Sequence, residues 1–262
     1  MRIERIVDMY LEDLFGLKNK TAVVTGGNMG IGRVVATGLA KAGAQIAILS
    51  RSSAEDAIKE IEQAGGTAYH IPTDVTDKEQ VKKAIEEIEK RSGTIDVLFN
   101  NAGVVEHQIS MDIDPDDFRK IIDINLNGEF IVAQACAQVM KKNHTKGSII
   151  NMASMSGYIV NYPYWQSSYN VSKAGVIHMT HCLAAEWAEY GIRVNSISPG
   201  YIATPMSTNT PQEVMDIWNS KIPMRRMGDP EELVTAILYL ASSASGYSTG
   251  SDVVVDGGYI CL

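Results

Sequence analysis

An α/β fold is predicted, built on one doubly wound parallel sheet of about seven strands with helices on both faces. Three observations predict it. Short β-branched runs alternate with longer segments of helical periodicity, the pattern by which crossover units build a covered parallel sheet. The 262 residues are 45% hydrophobic and 21% charged, which suffices for a sizeable core in one large domain. No internal repeat, low-complexity segment, linker or compositional break divides the chain.

In order, strands are predicted near 21–26, 45–49, 67–71, 95–100, 147–153, 192–198 and 252–256. Helices are predicted over 30–42, 53–64, 77–92, 115–142, 167–190 and 230–241. Right-handed crossovers between them leave a ligand crevice at the strand C-termini. The single domain spans 1–262, with 1–15 as an N-terminal extension and 203–226, which follows the sixth strand, as a lid over the crevice.

Several function classes are disfavoured at once. The longest apolar run, Ala236 to Ala241, is far short of the roughly 20 residues of a membrane helix, so no membrane is expected. The start mixes acidic and basic residues without an apolar stretch, unlike a secretory signal. A net charge of -8 repels a phosphate backbone, so nucleic acid is not an expected partner. Cys136, Cys182 and Cys261 are too few and scattered for a disulfide framework or a CxxC metal site, which fits a reducing cytoplasm. His178, His181 and Cys182 lack an acidic third ligand at a sensible spacing, so packing or an interface explains them and no metal is expected.

The first clue to chemistry is Thr25-Gly26-Gly27-Asn28-Met29-Gly30-Ile31-Gly32, which runs from the first strand straight into a helix. Gly26 permits the tight turn, Gly30 lets the backbone approach a pyrophosphate, and Gly32 lets helix and strand pack closely. A phosphate-bearing cofactor is implied. With neither GxGxxG spacing nor a GKS or GKT, nucleotide hydrolysis is disfavoured. Tyr169 and Lys173 stand four apart, hence on one helix face. A phenol titrates near pH 10 in isolation, so a neighbouring ammonium is what lets it exchange a proton near neutrality. A hydroxyl from the preceding strand can hold the substrate oxygen as negative charge develops there, a role assigned to Ser154.

Taken with Asn100-Asn101-Ala102-Gly103, Asn125, the serine strand at 151–156 and Pro199-Gly200, these motifs make the chain resemble the short-chain dehydrogenase/reductase family over residues 16 to 262. The later half is similar to its branch of NADP-dependent mannitol dehydrogenases and sorbose or xylulose reductases, through Ser154-Met-Ser-Gly-Tyr-Ile-Val-Asn-Tyr, Arg193-Val-Asn-Ser-Ile-Ser-Pro-Gly-Tyr-Ile, Ile222-Pro-Met and Val255-Asp-Gly-Gly-Tyr. The resemblance implies a Rossmann-type sheet and a catalytic set of Asn125, Ser154, Tyr169 and Lys173, with Asn125 supporting a water-mediated proton relay from the lysine. The family's usual serine-to-tyrosine separation of thirteen selects Ser156 instead. Local context, with Ser154 three residues before Gly157, selects Ser154 and places two extra residues in 158–168.

The same resemblance implies where a nicotinamide cofactor sits. Gly26, Asn28, Met29, Gly30, Ile31 and Gly32 would hold its phosphates, Asp74 and Val75 its adenine, and Asn101, Ala102 and Gly103 the adenosine ribose. Tyr169 and Lys173 would meet the nicotinamide ribose, with Pro199, Gly200, Ile202 and Thr204 around the carboxamide. Ser50 occupies the family's acidic position after the second strand, and Arg51 follows it. With no acid to repel a 2′-phosphate and a guanidinium to pair with it, NADP(H) is expected. Met29 stands where many NADP-using relatives carry a second basic residue.

Asn161, Tyr162, Tyr164, Trp165 and Gln166 offer hydroxyl, amide and aromatic surfaces suited to a polyhydroxylated chain, and Thr208, Asn209 and Thr210 form a loop before a short lid helix. The expected activity is NADP(H)-dependent interconversion of a ketose and a polyol, with Tyr169 as the proton donor to the ketone oxygen. Alternatives are reduction of another ketone, such as a 3-oxoacyl thioester or hydroxysteroid, and a catalytically silent NADP-binding module. A homotetramer is expected, with a dimer as the alternative, packing 115–142 and 167–190 through Ala133, Ala137, Ala174 and Ala185, with His178, Met179 and Cys182 adding surface.

Overall fold

The computed structural model describes residues 2–262, except the side chains of residues 2–8, Met206 and Thr208. Met1 of the expected extension and the Thr208 side chain of the expected lid loop lie outside what it describes. Strands β1 (Thr21–Thr25), β2 (Gln45–Ser50), β3 (Thr67–Pro72), β4 (Val97–Asn100), β5 (Ser148–Met152), β6 (Arg193–Pro199) and β7 (Asp252–Val255) form one parallel sheet in the order β3-β2-β1-β4-β5-β6-β7. The order reverses between β1 and β4. In sheets of this kind ligands bind at that switch point, outside the strand C-termini.

Successive residues of a strand face opposite sides, and the two sides are two cores. Val24, Ile46, Ile48, Phe99 and Ile150 pack under α2 (Gly30–Lys41), α3 (Glu55–Gln63) and α10 (Glu231–Ala241). Val23, Ala47, Leu49, Leu98 and Ile149 pack under α4 (Lys78–Ser92), α6 (Gly128–Lys142) and α7 (Ser167–Trp187). Local chemistry marks the helix ends. Asp77 caps α4 by accepting from the N–H groups of Glu79 and Gln80 at 2.9 and 3.1 Å, and Gly93 ends it at φ 77°. Asp114 caps α5 (Pro115–Ile122), with Pro115 where a missing N–H costs nothing.

The structure departs from the sequence reading in four places. The N-terminal segment is helical, α1 (Arg2–Phe15), and the Ser243 hydroxyl donates to its Asp13 and Leu14 carbonyls. The helix expected over 115–142 is interrupted by a π turn at Asp123–Asn127. Two helices occupy the lid, α8 (Pro205–Thr208) and α9 (Gln212–Lys221), so the expected loop at 208–210 begins inside a helical turn. Ala133 and Ala137 pack on the chain's own sheet, whereas Ala174, Ala185, His178 and Cys182 are exposed on α7. Among the described residues, no helix is long and apolar enough to cross a membrane, and no three His, Cys, Asp or Glu side chains cluster as metal ligands.

Candidate active site

At the switch point the β1 turn and the end of β4 are tied together. The Thr25 hydroxyl accepts from the N–H groups of Asn101 and Ala102 at 2.8 and 2.9 Å, and Asn101 Nδ2 donates to the Thr25 carbonyl at 3.0 Å. Gly26 and Gly30 have φ of 64° and 53°, a region costly for side chains. A Cβ on Gly32 would press on the Gly26 carbonyl oxygen and stand 2.5 Å from Asn101 Nδ2. A Cβ on Gly30 would meet nothing within 4 Å. The first N–H groups of a helix lack intrahelical acceptors, so Gly30 opens a space at the α2 N-terminus that a pyrophosphate fits. Asn28 and Ile31 are partly buried beside this space, and Met29 is exposed at the N-cap.

Ser50 and Arg51 behave differently from each other. The Ser50 hydroxyl is engaged by the Ser52 carbonyl at 2.8 Å and by His70 Nε2 at 3.0 Å. Arg51 is exposed, and among the described residues no carboxylate pairs with it. Asp74 accepts from the Thr76 N–H and hydroxyl at 3.0 and 2.7 Å, which shapes the loop after β3, while Val75 is buried beneath it.

Gly103, Asn125 and Lys173 meet. A Cβ on Gly103 would stand 3.2 Å from Asn125 Oδ1 and 3.7 Å from Lys173 Nζ. Asn125 lies in the π turn, fully buried, and holds both backbone groups of Val104 at 2.8 Å: its Oδ1 accepts from the N–H and its Nδ2 donates to the carbonyl. Such one-turn bulges are frequent at functional positions. Lys173 Nζ is 5.9 Å from the centroid of the Tyr169 ring one turn earlier, as the four-residue spacing requires. Sequence reasoning missed Glu129, whose Oε1 accepts from Lys173 Nζ at 3.0 Å. Its signal was available: a lone acid inside an apolar helix, four residues after Asn125.

The two serines have different partners. Ser154 Oγ accepts from the Ser156 N–H at 3.1 Å, which leaves its own O–H free to donate. Ser156 Oγ accepts from Gln166 Nε2 at 3.4 Å, Gln166 also donates to Asn161 Oδ1 at 3.2 Å, and Asn161 Nδ2 donates to the Tyr201 hydroxyl at 3.3 Å. Tyr201 stacks on Trp218 of α9 at 4.2 Å, and Tyr164 meets Trp218 edge-on at 5.9 Å. Tyr162 and Trp165 are more exposed. The lid is fastened at its base, where the Ala203 N–H donates to the Gly228 carbonyl at 2.8 Å and the Gly228 N–H to the Tyr201 carbonyl at 3.0 Å. Pro199 ends β6, Gly200 lies against Asp256 too closely for a Cβ, Ile202 is buried, and the Thr204 N–H donates to Ser207 Oγ at 3.0 Å.

A family model described as enoyl-(acyl carrier protein) reductase matches residues 26–260. The sorbose reductase of Candida albicans is 47% identical over 95% of this chain and 90% of its own. An NADP-dependent mannitol dehydrogenase of Alternaria alternata is 42% identical over 95% of each. The crystal structure of a short-chain type dehydrogenase/reductase from Mycobacterium marinum superposes with a TM-score of 0.93 at 45% identity, covering 95% of this chain and 99% of that one. A match over residues 26–260, relatives above 40% identical along nearly the whole chain and a solved structure at 45% identity show together that the chain belongs to the short-chain dehydrogenase/reductase family.

Proposed function

We propose that the protein is an NADP(H)-dependent oxidoreductase that interconverts a ketose and a polyol. The observation that carries this reading is the convergence of Asn125, Gly103 and Lys173, one turn from Tyr169, at the sheet's switch point. The 40 to 47% identity to sorbose reductases and mannitol and arabinitol dehydrogenases supports the substrate class. The phosphates of NADP(H) would be held by the Gly26–Gly32 turn, its 2′-phosphate by Arg51 beside Ser50, its adenine by Asp74 and Val75, and its riboses by Asn101 to Gly103, Tyr169 and Lys173. Pro199, Gly200, Ile202 and Thr204 would border its nicotinamide. When bound, it supplies or accepts the hydride.

The chain's own residues handle the oxygen. Ser154 donates a hydrogen bond to the substrate oxygen and orients it, and Tyr169 gives that oxygen a proton in reduction and takes one in oxidation. Lys173 places a positive charge one turn from the phenol. Asn125, by gripping Val104, fixes the loop after β4 over this set. Tyr162 and Trp165 leave exposed aromatic surface for a sugar chain, while the buried amide chain Gln166–Asn161 and the stacked pair Tyr201–Trp218 brace the lid beneath them. An acyl-carrier substrate fits less well: in the Arg225-Arg226 doublet, Arg226 is already paired twice with Glu232 at 2.6 and 2.7 Å.

Absorbance assays of fructose, sorbose, xylulose, a 3-oxoester and a 3-oxosteroid, each with NADPH and NADH, test the reading. Turnover of a ketose with NADPH supports it, and turnover confined to the oxoester or oxosteroid refutes it. Arg51→Ala should raise KM for NADPH about tenfold, as expected for one charge-assisted contact, and leave NADH nearly unchanged; equal effects would remove Arg51 from the 2′-phosphate site. Ser154→Ala should lower kcat much more than Ser156→Ala, and the reverse ranking would reassign the role. A cytoplasmic setting agrees with three cysteines that are all free. A homotetramer is proposed through the exposed face of α7 that carries Ala174, His178, Cys182 and Ala185. Light scattering tests it, and a fully active 28.5 kDa species would refute it.

A further inference from the structure

Glu129 is a buried acid that the proposed mechanism does not use. It is the second residue of α6, whose buried residues beyond it, among them Val132, Ala133, Cys136 and Met140, are apolar and pack on the sheet. Its side chain is 1% exposed and that of Lys173 is 2% exposed, and the pair is closed by the 3.0 Å bond from Nζ to Oε1. Lys173 Nζ also donates to the Met152 carbonyl at the end of β5. An ammonium has three N–H donors. Two are therefore committed inside the protein, and one remains for the catalytic side.

We propose that Glu129 is a positioning residue for the reaction: its carboxylate holds the Lys173 ammonium charged and aimed toward Tyr169 from within the core. The inference rests on the function proposed above. Its physical basis is that a fully buried ammonium without an anion is strongly disfavoured and sheds its proton instead. Every other element packed here is neutral toward the pair. β4 contributes Asn100, whose Nδ2 donates to the Glu129 carbonyl at 2.6 Å, β5 contributes the Met152 carbonyl, and the π turn contributes Asn125. The α4 residues in this core, Val81, Ala84, Ile85 and Ile88, are apolar, and α7 brings Lys173, the Tyr169 phenol and the neutral hydroxyls of Ser172 and Thr180.

The carboxylate is kept at a cost. Burial pushes the Glu129 carboxyl up to about 7, against the opposing pull of Lys173. Its Oε2 has no hydrogen-bond partner among the described residues. An apolar residue would fill the same space more cheaply, so packing alone does not account for an acid at this position.

The test compares wild type, Glu129→Gln and Glu129→Asp in NADPH-dependent ketose reduction across pH, with folding followed by thermal melting. Glu129→Gln keeps the shape and removes the anion. The alkaline limb of kcat should then shift by at least about one pH unit, because the buried cation has lost its anion. Its kcat at neutral pH should drop roughly tenfold or more as the ammonium loses its aim. Glu129→Asp keeps the charge but withdraws it by one methylene, so the alkaline fall should stay with wild type while kcat drops about threefold or more. A folded Glu129→Gln with wild-type kcat and pH profile would overturn the proposal. So would a Glu129→Asp indistinguishable from wild type in kcat, which is decisive even if the glutamine variant does not fold. A wild type that reduces no ketose would instead refute the function on which this rests.

Discussion

Tyr169→Phe is expected to lower kcat for ketose reduction by at least about 100-fold, the scale set by losing a general acid. The change deletes one oxygen and keeps the ring, which sits 5.9 Å from Lys173 Nζ and is partly buried on α7. Melting temperature should therefore stay near wild type, and NADPH should still bind, because the core, the phosphate turn and Lys173 are untouched and only one ribose contact is lost. The loss should fall in kcat and kcat/KM together, as when an interaction made in the transition state is removed. A well-folded variant retaining a near-normal rate would show that another group delivers the proton.

The second large effect separates two glycines that lie two residues apart. Gly32→Ala places a methyl against the Gly26 carbonyl and 2.5 Å from Asn101 Nδ2, which is already bonded to Thr25. Backbone on one side and a locked amide on the other leave little room to yield. A destabilisation of about 3 kcal/mol is expected, the upper range for overpacking, or roughly 6 to 12 °C in Tm for a chain of this size. Gly30→Ala meets no neighbour, so its structural cost is only that of its positive φ, about 1 to 2 kcal/mol. Its methyl, however, enters the space proposed for the pyrophosphate. Gly30→Ala should lose NADPH affinity by about tenfold or more while remaining folded, since a misplaced group in a close backbone contact costs at least one hydrogen bond to a charged partner. Thermal melts with and without NADPH check both. A Gly30→Ala protein still fully stabilised by NADPH would move the phosphate site elsewhere.

The parts of the fold that were legible are those in which local pattern and tertiary role coincide. All seven strands appear within two residues of their predicted positions: the five inner ones are buried along nearly their whole length, and the partly exposed edge strands β3 and β7 are short runs set off by turns. The β1 turn was legible because its glycines answer to backbone geometry, and Tyr169 and Lys173 because a four-residue spacing means one helix face. What was hidden depends on long-range contact. The π turn at Asp123–Asn127 follows from Asn125 gripping Val104, twenty-one residues earlier. That Ala133 and Ala137 pack on the chain's own sheet is visible only once the sheet is placed beneath them. Ser50 reads as free for the cofactor, yet its hydroxyl is bonded to His70 across the β2–β3 pair. Glu129 stands out in the sequence as a lone acid in an apolar helix, but its partner is visible only once α7 brings Lys173 to it.

Isotope transfer tests the proposed reaction most directly. The protein is incubated with NADPH carrying deuterium at the transferable C4 position and, in turn, with fructose, sorbose, xylulose, a 3-oxoester and a 3-oxosteroid, and the products are analysed by mass spectrometry. A polyol one mass unit heavier, labelled at the former carbonyl carbon and formed at a rate that collapses in Tyr169→Phe, is the expected result. Label found only in the alcohol from a 3-oxoester or a 3-oxosteroid, with none in any polyol, would contradict the assignment of a ketose-polyol enzyme.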